Sequence, residues 1–418
     1  MTDPRFCPNK ACPCHVDPYS SQARELSRRR WYKRNGSYPT VIRGSVVRFK
    51  CLVCGRGFSE QTFSLDYYVK RTIDYRALGD RLCSCSSVRA ISRSLHCSCD
   101  SVTNRTSRLA RQCISAHTRL LAQTALGEDQ AADGLQSFAV SQFFPNNIHV
   151  LVGSESQLVS FADYVSLRRS GRKTPAQTRM CAAFDALYRP PVKALSASFT
   201  ELLDHLHRRL EASTHHPVVL HTDKKLEYRR AIAAHVGLKP TIERKALRHQ
   251  RTDSRAERDR KNPLFPVNYI DRELRKDLAE HVRETVRFAR NVNHSMERLW
   301  VYLLDHNVSK RFRINDPVAV ERTHAGQAGA GAAAVKRATR GLCTRRRFLS
   351  FETLEPAMAR VWKREHVTPL KGIEKGALRR ILRQASVGAV DLEGIRKRLG
   401  VERLVREVTQ YLPRYALD

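Results

Sequence analysis

The sequence predicts an α/β protein: a basic, cysteine-rich N-terminal segment, then a sheet-containing domain, then a small, mainly helical C-terminal region. Three observations carry this. Pro217-Val-Val-Leu-His-Thr-Asp223 reads as a short buried strand, and Lys224 to Ala234 follows as a helix with Gly237 as its stop. Upstream, Ala131 to Val152 reads as a β-hairpin. Leu195, Phe199, Leu202, Leu206 and Leu210 mark an amphipathic helix before the Val218 strand. In an open α/β sheet, a carboxylate where a buried strand gives way to a helix stands where ligands bind. Asp223 is that carboxylate.

The chain has 418 residues and a net charge of +34. That length allows two or three domains, one with a sizeable core. The charge argues for a polyanionic partner, of which nucleic acid is the commonest. A polybasic membrane-surface protein would need an apolar anchor or a basic amphipathic helix. No apolar run of about 18 residues is present, and Met-Thr-Asp-Pro-Arg-Phe-Cys lacks the apolar core of a signal peptide. The expectation is a cytoplasmic protein without a membrane partner.

Residues 1–66 form the first unit. Cys7-Pro-Asn-Lys-Ala-Cys12 and Cys51-Leu-Val-Cys54-Gly are short-spaced pairs separated by a few tens of residues, the pattern of a zinc ribbon. Each knuckle supplies two corners of a tetrahedron, so Cys7, Cys12, Cys51 and Cys54 are the zinc ligands, with Cys14 and His15 competing with Cys12. Between the pairs, Arg28-Arg-Arg-Trp-Tyr-Lys-Arg34 mixes cations with aromatics, as phosphate-tracking arms do.

Residues 67–126 read as helical. Val88, Ile91 and Leu95 recur at helical spacing, His96-Cys-Ser-Cys99 makes a break, and Asp100 or Ser101 can cap a second helix. Val102, Leu109 and Cys113 are its buried stripe. Arg105, Arg108 and Arg111 lie three apart on a different, solvent-facing side. This is the helix-turn-helix pattern, whose second helix enters the DNA major groove; two ordinary packed helices with a solvated basic face would read the same way. Cys83, Cys85, Cys97 and Cys99 are a second candidate metal set, although Cys-x-Cys spacing is unusual for structural zinc.

Residues 127–320 hold the sheet. Asp133 begins a β run that continues to Phe144, Pro145-Asn146-Asn147 makes the turn, and Ile148, Val150 and Val152 alternate beyond it. Arg168, Arg169, Arg172 and Lys173 form a basic loop, and Arg244, Lys245 and the charged residues to Lys261 form another. Asp271 to Leu304 reads as one long helix or two. Met296, Leu299, Trp300 and Leu303 are its core face, and Glu297 lies one residue round from it. Asp133, Asp223 and Glu297 make an oxygen cage suited to Mg²⁺. Residues 321–347 are a basic, Ala/Gly-rich linker, flexible by composition. Residues 348–418 form the helical C-terminal region.

In the order zinc ribbon, helix-turn-helix, Asp, Asp, Glu, the chain resembles the DDE transposases of bacterial insertion sequences. The strings that carry the resemblance are Cys51-x-x-Cys54-Gly-Arg-Gly-Phe58-Ser59, Asp133-Gly-Leu-Gln-Ser-Phe138, Arg169-Ser-Gly-Arg172, His221-Thr-Asp223, Asn262-Pro-Leu-Phe-Pro-Val-Asn268 and Glu297-Arg-Leu. It covers roughly residues 5 to 315, and the order of the strings is its specific part. It implies an RNase H-like core with a mixed five-stranded sheet, Asp133 on the first strand, Asp223 on the fourth and Glu297 on a late helix. Glu284 competes for the third place, and Gly134 stands where the family often has an acidic residue.

The resemblance further implies strand cleavage and strand transfer with Mg²⁺ or Mn²⁺, on double-stranded DNA, by a homo-oligomer assembled on the element ends. Arg105, Arg108 and Arg111 would read the terminal inverted repeats. The cations of the Arg168–Lys173 and Arg244–Lys261 stretches would neutralise the backbone. Two other readings stay open: a DNA-binding regulator with an inactive nuclease-like core, and a structural nucleic-acid-binding or ribosome-associated protein.

Overall fold

The computed structural model describes residues 3–383 except 215–216, 254, 284, 286, 314, 316–321, 352–355, 374–375, 377, 380 and 382. Glu284 and the 384–418 part of the expected helical C-terminal region lie outside the described residues.

The N-terminal unit is a short helix α1 (Ser21–Ser27) and a three-stranded antiparallel sheet, β1 (Tyr32–Thr40), β2 (Gly44–Cys51) and β3 (Gly57–Ser59). Its small core is Trp31, Phe49 and Phe58 gathered around the cysteines. Trp31, expected in an exposed arm, is buried there, because a ribbon this small has few other large apolar side chains to fill its interior.

Three helices follow, α2 (Tyr75–Leu82), α3 (Val88–Ser94) and α4 (Cys99–Leu121). Ser87 and Ser98 cap α3 and α4, and His96 adopts a left-handed conformation in the turn between them. Val102, Leu109 and Cys113 form the buried stripe of α4 as expected.

The second sheet has five strands, β4 (Gln130–Phe138), β5 (Pro145–Gly153), β6 (Val159–Ser166), β7 (Val218–Asp223) and β8 (Leu247–Thr252), in the order β6-β5-β4-β7-β8. β4, β5 and β6 are antiparallel neighbours, whereas β4–β7 and β7–β8 are parallel, so the sheet is mixed. Helices α5 (Pro175–Leu187) and α6 (Ala194–Glu211) lie between β6 and β7, and α7 (Leu226–Ala234) and α8 (Lys239–Glu243) between β7 and β8. After the sheet come α9 (Phe265–Asp277), α10 (Val292–Val308), α11 (His324–Gln327), α12 (Ala332–Thr339) and α13 (Pro356–Lys363). Among the described residues no helix is long and apolar enough to cross a membrane.

The side chains of β5 show how the layers lie. His149 meets Ser198 of α6 at 2.9 Å and pairs in register with Gly134. Asp133 pairs with Val150, so by alternation it faces away from α6. On that far side α9 lies against β4 and β5, while α10 runs along α4 and reaches β6.

Four expectations change. The turn of the β4–β5 hairpin is Ala139–Phe144, closed by the Ala139 amide on the Phe144 carbonyl at 2.9 Å and helped by a left-handed Val140. Asn146 and Asn147 are buried strand residues, Asn146 accepting from the Ser137 hydroxyl at 2.8 Å. Within the Arg244–Lys261 stretch, Leu247–Thr252 is the edge strand β8, whose exposed arginines hid its alternation. The expected flexible linker is α11 and α12, with Ala325, Ala330 and Ala338 buried against Leu120 and Leu158. Alanine is the strongest helix former, and its small side chain lets the backbone approach α4 closely.

Candidate active site and metal centre

Ala131 of β4 pairs with His221 of β7 in a parallel register. Two residues further along both strands come Asp133 and Asp223, which therefore stand side by side on one face. One ammonium joins them: Lys225 Nζ lies 2.8 Å from Asp133 Oδ1 and 3.0 Å from Asp223 Oδ2. The Asp223 carboxylate also accepts the Lys225 amide at 3.0 Å, which fixes the bend out of the strand. Tyr228, one turn into α7, donates its hydroxyl to Asp133 Oδ1 at 3.2 Å.

Burial opposes the charge on Lys225, but the carboxylates of Asp133 and Asp223 outweigh it and hold the ammonium above its ordinary pKa. Burial and then the same two charges push the Tyr228 phenol well above its usual range, so it remains a donor. Gly134 is explained by its neighbour. A Cβ there would lie 2.2 Å from the Asn147 side chain, so any larger residue at 134 requires Asn147 to move.

Glu297, the expected third carboxylate, has other partners. Glu297 Oε2 is bound by Ser107 Oγ of α4 at 2.7 Å and by His294 Nδ1 at 2.9 Å, and among the described residues no contact joins it to either aspartate. The reason is the helix it sits on: α10 follows α4, and the helix laid on β4 is α9. That helix brings Asp271, whose Oδ1 is buried without a hydrogen-bond partner. Burial, then repulsion from Asp133, pushes the Asp271 carboxyl up to about 7. Sequence reading passed over Asp271 as an ordinary helical charge. Asp271 stands nearly two turns into α9, whose second residue is Pro266.

The cysteine cluster matches its prediction more closely. The Sγ atoms of Cys7, Cys12, Cys51 and Cys54 all lie within 4.8 Å of one another, the one such group of possible metal ligands among the described residues. Cys7–Cys54 and Cys12–Cys51 approach to 3.6 and 3.8 Å. A regular tetrahedron with zinc–sulfur bonds near 2.3 Å has edges of about 3.8 Å. The four side chains therefore fit a zinc ion, with Cys7, Cys12 and Cys51 buried and Cys54 partly exposed. Cys14 instead donates its amide to Cys12 Sγ at 3.4 Å, and His15 is engaged by the Cys7 carbonyl and Ser350, so Cys12 is the fourth thiol of the cluster. Gly55, at φ +71°, makes the second knuckle. Burial opposes the Cys54 thiolate, yet the Arg56 amide and the Asn9 side chain bring its pKa to about 6.

Arg105, Arg108 and Arg111 are buried, not solvent-facing. Arg105 donates to the Arg71 carbonyl at 3.2 Å, Arg108 to the Leu65 and Tyr67 carbonyls at 3.1 and 2.8 Å, and Arg111 to the Tyr67 hydroxyl at 3.3 Å. Their spacing does put them on one face, but residues 65–71 cover that face and the guanidinium groups satisfy its carbonyls. The exposed cations of the helical pair are Arg89 and Arg93 on α3. Arg172, Arg244 and Lys245 are exposed as expected. Arg168 pairs with Asp185, Arg169 reaches Gln142, and Lys173 Nζ lies 3.4 Å from the Arg169 carbonyl. No protein-family model matches the chain, and no curated protein is similar to it.

Proposed function

We propose that the chain is a DDE-type transposase that binds the terminal inverted repeats of an insertion element and cleaves and transfers DNA strands with Mg²⁺ or Mn²⁺. The observation that carries this is the placement of Asp133 and Asp223. They lie on the first and fourth strands of a five-stranded mixed sheet, adjacent and facing one way. That is the arrangement an RNase H-like core requires. Asp271 is proposed in place of Glu297 as the third carboxylate, because its helix packs against β4 and its Oδ1 is buried without a hydrogen-bond partner.

When bound there, divalent metal would activate a water or a DNA 3′-hydroxyl and stabilise the leaving oxygen. The chain's own residues do the rest. Tyr228 orients Asp133, the Lys225 amide orients Asp223, and the unpartnered Asp271 Oδ1 would be the open ligand atom of the set. The Lys225 ammonium marks the place where positive charge is held between the pair. Exposed Arg172, Arg244 and Lys245 would neutralise the DNA backbone, and the zinc ribbon would hold the N-terminal unit in shape.

A second reading has one observation in its favour: a lysine paired with both aspartates also suits a DNA-binding regulator whose core is inactive. One experiment separates the two. Purified protein is incubated with DNA flanking its own coding region, with and without Mg²⁺. Metal-dependent nicks at the repeat ends, absent in Asp133→Ala and Asp223→Ala, are expected; end binding without cleavage moves the chain to the regulator class.

A further inference from the structure

Residues 340–351 return to the N-terminal ribbon and leave two hollows on either side of Arg346 and Phe348. The smaller, about 290 Å³, is walled by ribbon, α4 and the returning segment. The larger, about 830 Å³, opens toward the cysteine knuckles, with Lys10, Arg56 and Tyr68 on its rim. Both share the Arg346–Phe348 divide.

Their linings combine two chemistries. Phe6, Phe348 and Phe351 pack edge to face with ring centroids 4.9–5.2 Å from Phe6 and form a rigid aromatic wall. Tyr19 stands opposite at 48% exposure, with the Arg119 guanidinium 5.5 Å from its ring. Arg346 lies between the Tyr67 and Phe348 rings, 4.3 and 4.8 Å from their centroids. Six arginines line the smaller hollow against two carboxylates, Asp3 and Glu60. Among the described residues, Arg5, Arg340 and Arg345 have no salt bridge. Tyr68 adds an independent sign. It is 69% exposed and held in the left-handed region, at φ +50°, which a bulky side chain enters only under constraint.

We infer that these hollows bind single-stranded DNA, one base entering the aromatic wall beside Tyr19 and a neighbouring base stacking on Tyr68. Flat rings with interspersed guanidinium groups suit this ligand, because every base has a face to stack and every link carries a phosphate. An acidic peptide would satisfy the arginines but not the rings. The choice of DNA over RNA rests on the phosphoryl-transfer reading; the site itself does not, since it lies on different elements from Asp133 and Asp223.

The test uses the full chain in metal-free buffer without chelator, to keep the ribbon intact. Anisotropy of a labelled thymidine dodecamer is compared with a duplex of equal length, for wild type, Tyr19→Ala, Tyr68→Ala and Arg345→Gln. About tenfold weaker single-strand binding per lost aromatic is expected, with duplex binding unchanged. Equal losses on both DNAs overturn the assignment. Competition by thymidine monophosphate at matched nucleotide concentration would make it a mononucleotide pocket, and uridine dodecamer binding as tightly would overturn the choice of DNA. A bromodeoxyuridine strand should photocrosslink wild type at Tyr19, Phe351 or Tyr68, and crosslinks confined to other regions reject the site whatever the variants do. Asp133→Ala should bind the strand as wild type does, so loss of cleavage and loss of this site are separate results.

Discussion

Lys225 Nζ stands 2.8 Å from Asp133 Oδ1, closer than any other charged group described around that carboxylate. A divalent ion placed between Asp133 and Asp223 must displace it. Lys225→Met should therefore tighten Mn²⁺ binding, read by titration calorimetry, by about tenfold, the worth of one partly buried ion pair of ~1.4 kcal/mol. Weaker binding in the variant would show that the lysine supports the metal site instead of occupying it.

The third carboxylate can be decided by comparison. Asp271→Ala should lower strand cleavage about a thousandfold, as Asp133→Ala and Asp223→Ala should. Glu297→Gln should retain most cleavage and cost about 1–2 kcal/mol of stability through its bond to Ser107. The reverse ranking would return Glu297 to the site.

Zinc content is a direct measurement. Protein purified without chelator should carry about one zinc per chain, and Cys51→Ser should lose it together with the ribbon fold. Metal-free protein with an intact ribbon would refute the thiolate site.

Arg108→Ala should act on stability and not on sequence preference. It leaves the Leu65 and Tyr67 carbonyls without their charged donor, at a cost of about 2–4 kcal/mol in denaturant unfolding. A stable variant that loses discrimination between element ends and random DNA would restore the recognition role.

Acid should destabilise the sheet domain. Burial holds His117 to about 4 and His149 to about 3, below the ordinary histidine value, so both stay neutral in the fold. Protons then bind the unfolded chain first as pH falls below about 6.5, and stability drops from there toward pH 4. His117→Gln should flatten that slope in unfolding curves taken across this window. An unchanged slope would place the acid lability elsewhere.

How far the sequence disclosed this structure depends on who supplies each residue's partner. Local spacing was readable: each cysteine pair sits within a few residues of chain although the two pairs meet across 39 to 47 positions, Ser98 caps its own helix, and Val102, Leu109 and Cys113 follow helical period. Asp223 ends β7, where composition marks the boundary, whereas Asp133 lies inside β4 as the fourth of its nine residues. The surroundings of Arg108 and Glu297 were not readable because distant segments supply them, residues 65–71 for one and α4 for the other. The helix α5 was missed although Thr174-Pro175-Ala-Gln177 spells its capping box.

The contact between His15 Nε2 and Ser350 Oγ spans 335 positions of chain. Synthesis runs from the N-terminus, so the cysteine knuckles emerge and can take metal long before Phe348 and Phe351 leave the ribosome. Until then the Phe6 face of the ribbon is uncovered, apolar and open to wrong partners. Closure over so long a loop is slow, which makes docking of residues 345–351 a late step in maturation. A chain cut short before Arg345 should therefore retain zinc yet aggregate through that face.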